Sequence, residues 1–245
     1  MKSPWPRIGN TLAMLEWRKL RVAPARCPLC GPSVLVRISA SPIGARCLRC
    51  AASGITMALV SVLHEEIGSL AGLHVYELSA QGPLVAWLRG NAGRLTCSEW
   101  FDGANPGQMV DGVQCQDVQH LTFAAASFDV CTSTEVFEHV PDDGRGFAEL
   151  RRVLRPGGRL VFSVPLSAAG PTVERARMKD GEVEHLLPAE YHGDRIRGRG
   201  RVLAYRNYGF DVLDRVAAQG FRDVRFGRPA AAIGPWAPPI VVATA

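Results

Sequence analysis

Residues 115–166 read CQDVQHLTFAAASFDVCTSTEVFEHVPDDGRGFAELRRVLRPGGRLVFSVPL, and the order of apolar and turn-forming runs inside them decides the fold. Phe128–Thr132 and Arg159–Val164 are short runs of strand-forming residues, and Gly144–Leu154 between them has a helical pattern. Strand, helix, strand at this spacing is the signature of parallel strands joined by a crossover helix. Working outward, the same rhythm predicts strands at His74–Leu78, Arg94–Glu99 and Gly112–Asp117 and a helix at Pro83–Arg89. Beyond the quoted stretch, Phe210–Gln219 is an amphipathic helix closed by Gly220, followed by strands at Phe221–Phe226 and Ile240–Ala243. The class is α/β. One segment breaks the rhythm: residues 167–206 carry few strand or helix signals, and long insertions in α/β enzymes are usually functional loops, so substrate recognition is expected there.

The chain of 245 residues has 28 Lys and Arg against 23 Asp and Glu, and 47% of it is hydrophobic. Such a composition excludes general disorder, and a net charge of +5 is too mild to argue for nucleic acid by itself. Nothing in the sequence reads as a membrane span or a secretory signal. Seven cysteines, four of them in CxxC pairs, fit a reducing, cytoplasmic setting better than a secreted disulfide scaffold.

Residues 1–25 read as an arm with a short helical pattern ended by Pro24. Residues 26–52 form a small module in which Cys27, Cys30, Cys47 and Cys50 give CxxC, sixteen residues, CxxC, with a β-rich run at Ser33–Ile38 between the pairs. That spacing lets two cysteine knuckles converge on one tetrahedral ion, and four thiolates suit Zn2+ in a closed, structural site. A module this small cannot bury enough apolar area to fold alone, and zinc contributes about 10–16 kcal/mol to folds of this kind. The alternatives are free or disulfide-bonded cysteines and, less in keeping with the spacing, iron. Residues 53–72 carry an apolar helix, Ile55–Leu70, stopped at Gly72, which links the module to the main body at 73–245. His64 on it lacks a second histidine at metal-binding spacing and reads as a helix-surface residue, while Cys97, Cys115 and Cys131 fall in strands as small buried hydrophobes.

Ligands of open α/β sheets settle beyond the carboxyl ends of the strands. Three acids recur there: Glu77 ends the first strand, Glu99 follows it by twenty-two residues, and Asp117 follows Glu99 by eighteen. A carboxylate accepts two hydrogen bonds at once, which suits Glu99 to a ribose diol and Asp117 to an exocyclic amine. Each also has the plain alternative of a solvated loop carboxylate, so the joint pattern carries the argument.

With FDV, EVFEHV, LRRVLRPGG and LVFSVPL in this order and spacing, residues 73–226 resemble a class I S-adenosylmethionine-dependent methyltransferase. The resemblance covers about two thirds of the chain. It implies a doubly wound, Rossmann-like seven-stranded sheet whose last strand is antiparallel, here preceded by the zinc-ribbon-like module. It also implies that S-adenosylmethionine is held by Glu77, Ser79, Gly82, Glu99, Asp117 and Val118, with Glu135 or its neighbours lining the methyl-transfer cleft. The chain departs from the family in its first loop. An acid followed by GxGxG is expected there, and Glu77-Leu78-Ser79-Ala80-Gln81-Gly82-Pro83 keeps only Gly82, displaced by one position. Non-glycine residues reach positive φ at a cost, so altered cofactor binding is one expectation. Pro83 is nevertheless well placed to open a helix whose N-terminus receives a carboxylate.

Methyl transfer from a sulfonium is an in-line displacement that relies chiefly on alignment. If the acceptor is a hydroxyl, a base helps, and His139 in EVFEHVPD and His192 in PAEYHGD are the candidates. Their plain alternatives are a core-rim histidine and a loop-stabilising one. The Asn-Pro-Pro-aromatic motif of adenine and glutamine amino-methylation is missing after the fourth strand, where Thr132-Ser133-Thr134-Glu135 stands. Arg195, Arg197, Arg199 and Arg201 form a basic run that suits phosphates or is simply solvated. The leading expectation is a methyltransferase acting on a small molecule or glycan. The alternatives are an rRNA methyltransferase, since some of these place a zinc module before the fold, and an inactive methyltransferase-like binding module.

Overall fold

The computed structural model describes residues 16–167, 170–194, 200–230 and 237–245. Residues 1–15 of the expected arm, and Arg195, Arg197 and Arg199, lie outside them. At the N-terminal side, β1 (Arg21–Cys27), β2 (Gly31–Arg37) and β3 (Ala45–Cys47) form a three-stranded antiparallel sheet in that order. In the described part of the expected arm, residues 16–25, Trp17–Lys19 makes a single tight turn and Pro24 lies inside β1, opposite Val34, rather than ending a helix. A proline without an N–H is tolerated because β1 is an edge strand, and the cysteine turn at Cys27–Gly31 folds it back as a hairpin. The three-stranded sheet therefore begins at Arg21.

Helix α1 (Gly54–Glu66) is opened by Ser53, whose hydroxyl accepts from the N–H of Thr56 at 3.2 Å. It ends before the expected Leu70 because Gly68, at φ +76°, turns the chain and donates to the Leu63 and His64 carbonyls. Gly54 to Leu63 are all buried, packed between Leu35, Cys27 and Cys47 of the module and Val75, Val130 and Val161 of the main sheet. The helix is thus a structural layer shared by both.

The main body continues with β4 (His74–Glu77), α2 (Pro83–Asn91), β5 (Arg94–Glu99), β6 (Met109–Val110), β7 (Val113–Cys115), β8 (Phe128–Thr134), α3 (Asp143–Val153) and β9 (Leu154–Ser163). The described residues of the 167–206 insertion, which carries few strand or helix signals in the sequence, form three two-stranded antiparallel ribbons, the first completed by Asn207. They are β10 (Val173–Glu174) with β15 (Arg206–Asn207), β11 (Ala176–Lys179) with β12 (Glu182–His185), and β13 (Tyr191–Asp194) with β14 (Gly200–Leu203). Most of their described residues are exposed or half-buried, so no apolar alternation marks them in the sequence. Then follow α4 (Val212–Ala217), β16 (Arg222–Gly227) and β17 (Ile240–Thr244).

The sheet runs β16-β17-β9-β8-β4-β5-β7-β6. From β9 through β7 the strands are parallel, and β17 is antiparallel to both of its neighbours, as the resemblance implied. The expected seven strands become eight because Asp111 and Gly112, both at positive φ, make a two-residue turn that folds β6 back onto β7. Along β9 the side chains alternate: Leu160 and Phe162 face α3 and α4, while Val161 faces α1 and α2. The sheet is therefore covered on both faces, as a doubly wound fold requires. Strand order reverses between β4 and β8, which opens a crevice at their carboxyl ends. Among the described residues no helix is long and apolar enough to cross a membrane.

Candidate functional site

A cleft of about 1540 Å³ occupies this crevice. Glu77, Glu99 and Asp117 all line it, as do Ser79, Gly82, Val118 and Glu135. The three strand-end acids thus converge on one space.

Glu77 is buried at the end of β4, and the Thr132 hydroxyl of the adjacent β8 donates to its Oε2. Burial pushes its carboxyl up to about 8 despite that hydrogen bond, and the nearby Glu99 charge adds to the rise. Glu99 braces the degenerate loop: its Oε1 accepts from the Ser79 hydroxyl at 2.9 Å and from the Ala80 N–H at 3.0 Å. Within this loop only Gly82 has positive φ, +100°, so Ser79, Ala80 and Gln81 hold their places without the backbone strain that a glycine relieves. Gln81 is exposed at the cleft wall and does not fill it. Pro83 stands at the first position of α2, directly after Gly82.

Asp117 closes a turn of its own. Its Oδ1 accepts from the Gln119 N–H at 2.9 Å and from the Gln119 amide at 3.1 Å, while Oδ2 lies 3.9 Å from the His120 ring. Val118 beside it is nearly buried. Glu135 follows β8 with a φ of +53°, an uncommon conformation for a side chain-bearing residue, and its Oε1 accepts from the Ser163 hydroxyl at 2.8 Å. Burial, reinforced by the Glu138 charge, pushes the Glu135 carboxyl up to about 8.

At the other end of the cleft the two histidines singled out separately in the sequence meet. Their ring centroids are 5.0 Å apart in an edge-to-face pair. His139 Nδ1–H donates to the Leu203 carbonyl at 2.7 Å, and His192 Nε2 lies 3.2 Å from Glu190 Oε1. Between them sits Glu138, 1% exposed, with its Oε1 at 3.6 Å from His139 Nε2 and 3.8 Å from His192 Nδ1. The Glu138 carboxylate holds the His192 pKa above its ordinary value, with Glu190 helping. Sequence reading did not single out Glu138, although it stands next to His139; an acid adjacent to a candidate base was the available signal.

It also missed what brings the histidines together. Arg206 is 2% exposed and donates to the carbonyls of Phe137, Val140 and Pro141 at 3.0, 2.5 and 2.6 Å. The Tyr205 N–H donates to the Glu138 carbonyl at 2.7 Å. Arg215 pairs with Asp143 at 2.7 Å and with Glu174 at 2.8 Å, and the Tyr208 hydroxyl donates to Asp143. The insertion is clamped in this way onto the turn that carries Glu138 and His139. Arg201, the described member of the basic run, lies over the Tyr191 ring at 5.1 Å.

In the module, the four cysteine sulfurs lie within 4.8 Å of one another. Cys27 and Cys50 sulfurs are 3.8 Å apart and those of Cys30 and Cys47 3.6 Å. The edge of a tetrahedron with Zn–S bonds of about 2.3 Å is about 3.8 Å, so the residues present fit a zinc ion. None of the four is in a disulfide. Ser41, Ile43 and Arg46 of the module, with Thr56 of α1, form one wall of the cleft. His64 is exposed on α1, 3.3 Å from the Pro28 carbonyl, as a helix-surface residue should be. Cys115 and Cys131 are fully buried, and Cys97 is partly so.

Residues 66–162 match the model of the methyltransferase domain family. A ubiquinone biosynthesis O-methyltransferase of Coxiella burnetii is 32% identical over 98 residues, 40% of this chain and 41% of that protein. An uncharacterised methyltransferase of a Mycobacterium species is 56% identical over 43 residues, 18% of this chain and 17% of that protein. The match thus spans about two fifths of the length of the Coxiella relative and about one sixth of that of the Mycobacterium one. Among solved structures, an S-adenosylmethionine-dependent methyltransferase from Mesorhizobium loti is similar at 19% identity with a TM-score of 0.47, over 76% of this chain and 96% of that one. The residues matched by the family model run from the end of α1 to β9, about two fifths of the chain.

Proposed function

We propose that the protein is an S-adenosylmethionine-dependent methyltransferase that acts on a hydroxyl of a small molecule or glycan. The observation that carries the reading is the convergence of Glu77, Glu99 and Asp117 with the His139–His192 pair on a single cleft at the switch point of a doubly wound sheet. In this reading Glu77, Ser79, Gly82, Glu99, Asp117 and Val118 hold the donor, and Glu135 lies where donor and acceptor meet. Bound S-adenosylmethionine would supply the methyl group for an in-line displacement. Alignment by the cleft walls contributes up to about 7–11 kcal/mol in reactions of this kind. Glu138, His139 and His192 form the polar end that orients the acceptor and assists loss of its proton. The Coxiella relative is named an O-methyltransferase, in keeping with a hydroxyl acceptor. The cysteine quartet in this reading holds a structural zinc ion, and cysteine usage supports a cytoplasmic setting.

The test is calorimetry with S-adenosylmethionine and S-adenosylhomocysteine, followed by methyl transfer to a panel of phenols, glycans and rRNA. Saturable binding and transfer to a hydroxyl are expected. No detectable heat at millimolar ligand would leave an inactive binding module, and transfer to rRNA alone would replace the small acceptor.

A further inference from the structure

We propose that Glu138, His139 and His192 form a binding site for a divalent first-row transition-metal ion at the acceptor end of the cleft, separate from the cysteine quartet. Glu138 carries the argument. Both of its carboxylate oxygens are buried and have no hydrogen-bond partner among the described residues. A buried carboxylate is costly unless it is paired or coordinates a metal. Its Oε1 lies 3.6 Å from His139 Nε2 and 3.8 Å from His192 Nδ1, too far for hydrogen bonds. Those separations are instead a few tenths of an ångström wider than the spacing of ligand atoms that share one ion at about 2.0–2.2 Å. One ligand atom from each of the three side chains falls within 4.8 Å of the others.

The second ring nitrogens point to the same conclusion. His139 Nδ1 is 2.7 Å from the Leu203 carbonyl, and a carbonyl only accepts, so Nδ1 carries the proton and the Nε2 lone pair faces Glu138. His192 Nε2 is 3.2 Å from Glu190 Oε1, which likewise favours a proton there and a lone pair on Nδ1, again toward Glu138. Glu190 is itself held by Asn207 at 3.2 Å and Arg175 at 3.1 Å. A carbonyl or carboxylate on the far nitrogen of each ring is the usual outer support of metal-ligating histidines. The surrounding clamp also fits: Tyr205, Leu203 and Arg206 hold both segments to fixed backbone atoms, so the three donors are placed in advance.

Two imidazoles and a carboxylate suit Mn2+, Fe2+, Co2+ or Zn2+, and three protein ligands leave coordination positions open. In the methyltransferase reading, on which only this role rests, those positions take the acceptor. A hydroxyl bound there loses its proton to water more easily, its oxygen forms the new bond to the methyl carbon, and the carbon–sulfur bond breaks to leave a neutral thioether. An acceptor with two adjacent hydroxyls fits two open positions.

The experiment loads the full chain with one equivalent of Zn2+, which the thiolates take first, and then titrates Mn2+, for which thiolates compete poorly. Loss of the free Mn2+ electron paramagnetic resonance signal reads the binding. One Mn2+ per chain is expected, with affinity falling at least tenfold in Glu138→Gln and in His192→Ala, while S-adenosylhomocysteine binding stays within about twofold. His192 lies on an insertion ribbon, so its variant reports even if Glu138→Gln does not fold. No Mn2+ uptake at 1 mM, or uptake unchanged in a folded His192→Ala, overturns the site. Failure of the methyltransferase reading shows separately, as absent S-adenosylhomocysteine binding alongside intact Mn2+ uptake.

Discussion

Glu77 and Glu99 are neighbours that burial treats differently. Glu99 is occupied by the Ser79 hydroxyl and the Ala80 N–H, while Glu77 has its Thr132 hydrogen bond and a carboxyl pushed up to about 8. At pH 7 the free protein therefore keeps Glu77 mostly protonated. A donor carrying an ammonium and a sulfonium favours the ionised carboxylate, so binding lowers the Glu77 pKa and expels a proton. Calorimetry at pH 7 in two buffers of different ionisation enthalpy should find net proton release on S-adenosylmethionine binding, and Glu77→Gln should remove it. Release unchanged in that variant would move the titrating group elsewhere. The acids themselves were legible in the sequence because strand ends and their spacing mark them. Their chemistry was not, since protonation depends on burial and on partners such as Thr132 that are fifty-five residues away.

Elements were legible where one face or one turn decides them. The parallel core and the two CxxC knuckles follow from apolar runs and spacing, and the antiparallel setting of β17 followed from the family resemblance alone. β1 was not, because Pro24 reads as a helix stop and equally as an edge-strand residue, and only pairing with β2 separates the two. The Asp111–Gly112 turn was a readable hairpin signal that went unused. The insertion hid because its ribbons are held by Arg206, Arg215, Asp143 and Glu174, and ionic clamps leave no periodic trace. At this scale the module matters to the cleft, since Ser41, Ile43 and Arg46 line it and α1 packs on the cysteine strands. On the proposed structural zinc, stripping the quartet with a strong chelator, or replacing Cys47 by serine, should lower the melting temperature by several degrees. It should also weaken S-adenosylhomocysteine binding at least tenfold, read by differential scanning and calorimetry. Unchanged affinity after either treatment would show that the wall does not depend on a metal in the quartet.

Over the whole molecule, residues that act together come from distant parts of the chain. His139 and His192 are fifty-three residues apart, and Arg206 is what ties their segments to one another. The guanidinium fork reaches these three carbonyls from two separate nitrogens, a spread that the single nitrogen of an ammonium does not reproduce. Arg206→Lys should therefore lower kcat at least tenfold and raise KM for the acceptor while leaving S-adenosylhomocysteine affinity within about twofold. A uniform loss of both would mean that the substitution loosens the entire domain. The strand order carries one further consequence. β17 lies between β9 and β16 yet follows both in the chain, and β16 pairs with nothing else in the sheet. A chain in which residues 240–244 have not yet paired would leave two raw seams that an exposed strand could occupy, including the same segment of a second molecule. Slow refolding and strand exchange at high concentration are the natural hazards of a sheet whose keystone arrives last.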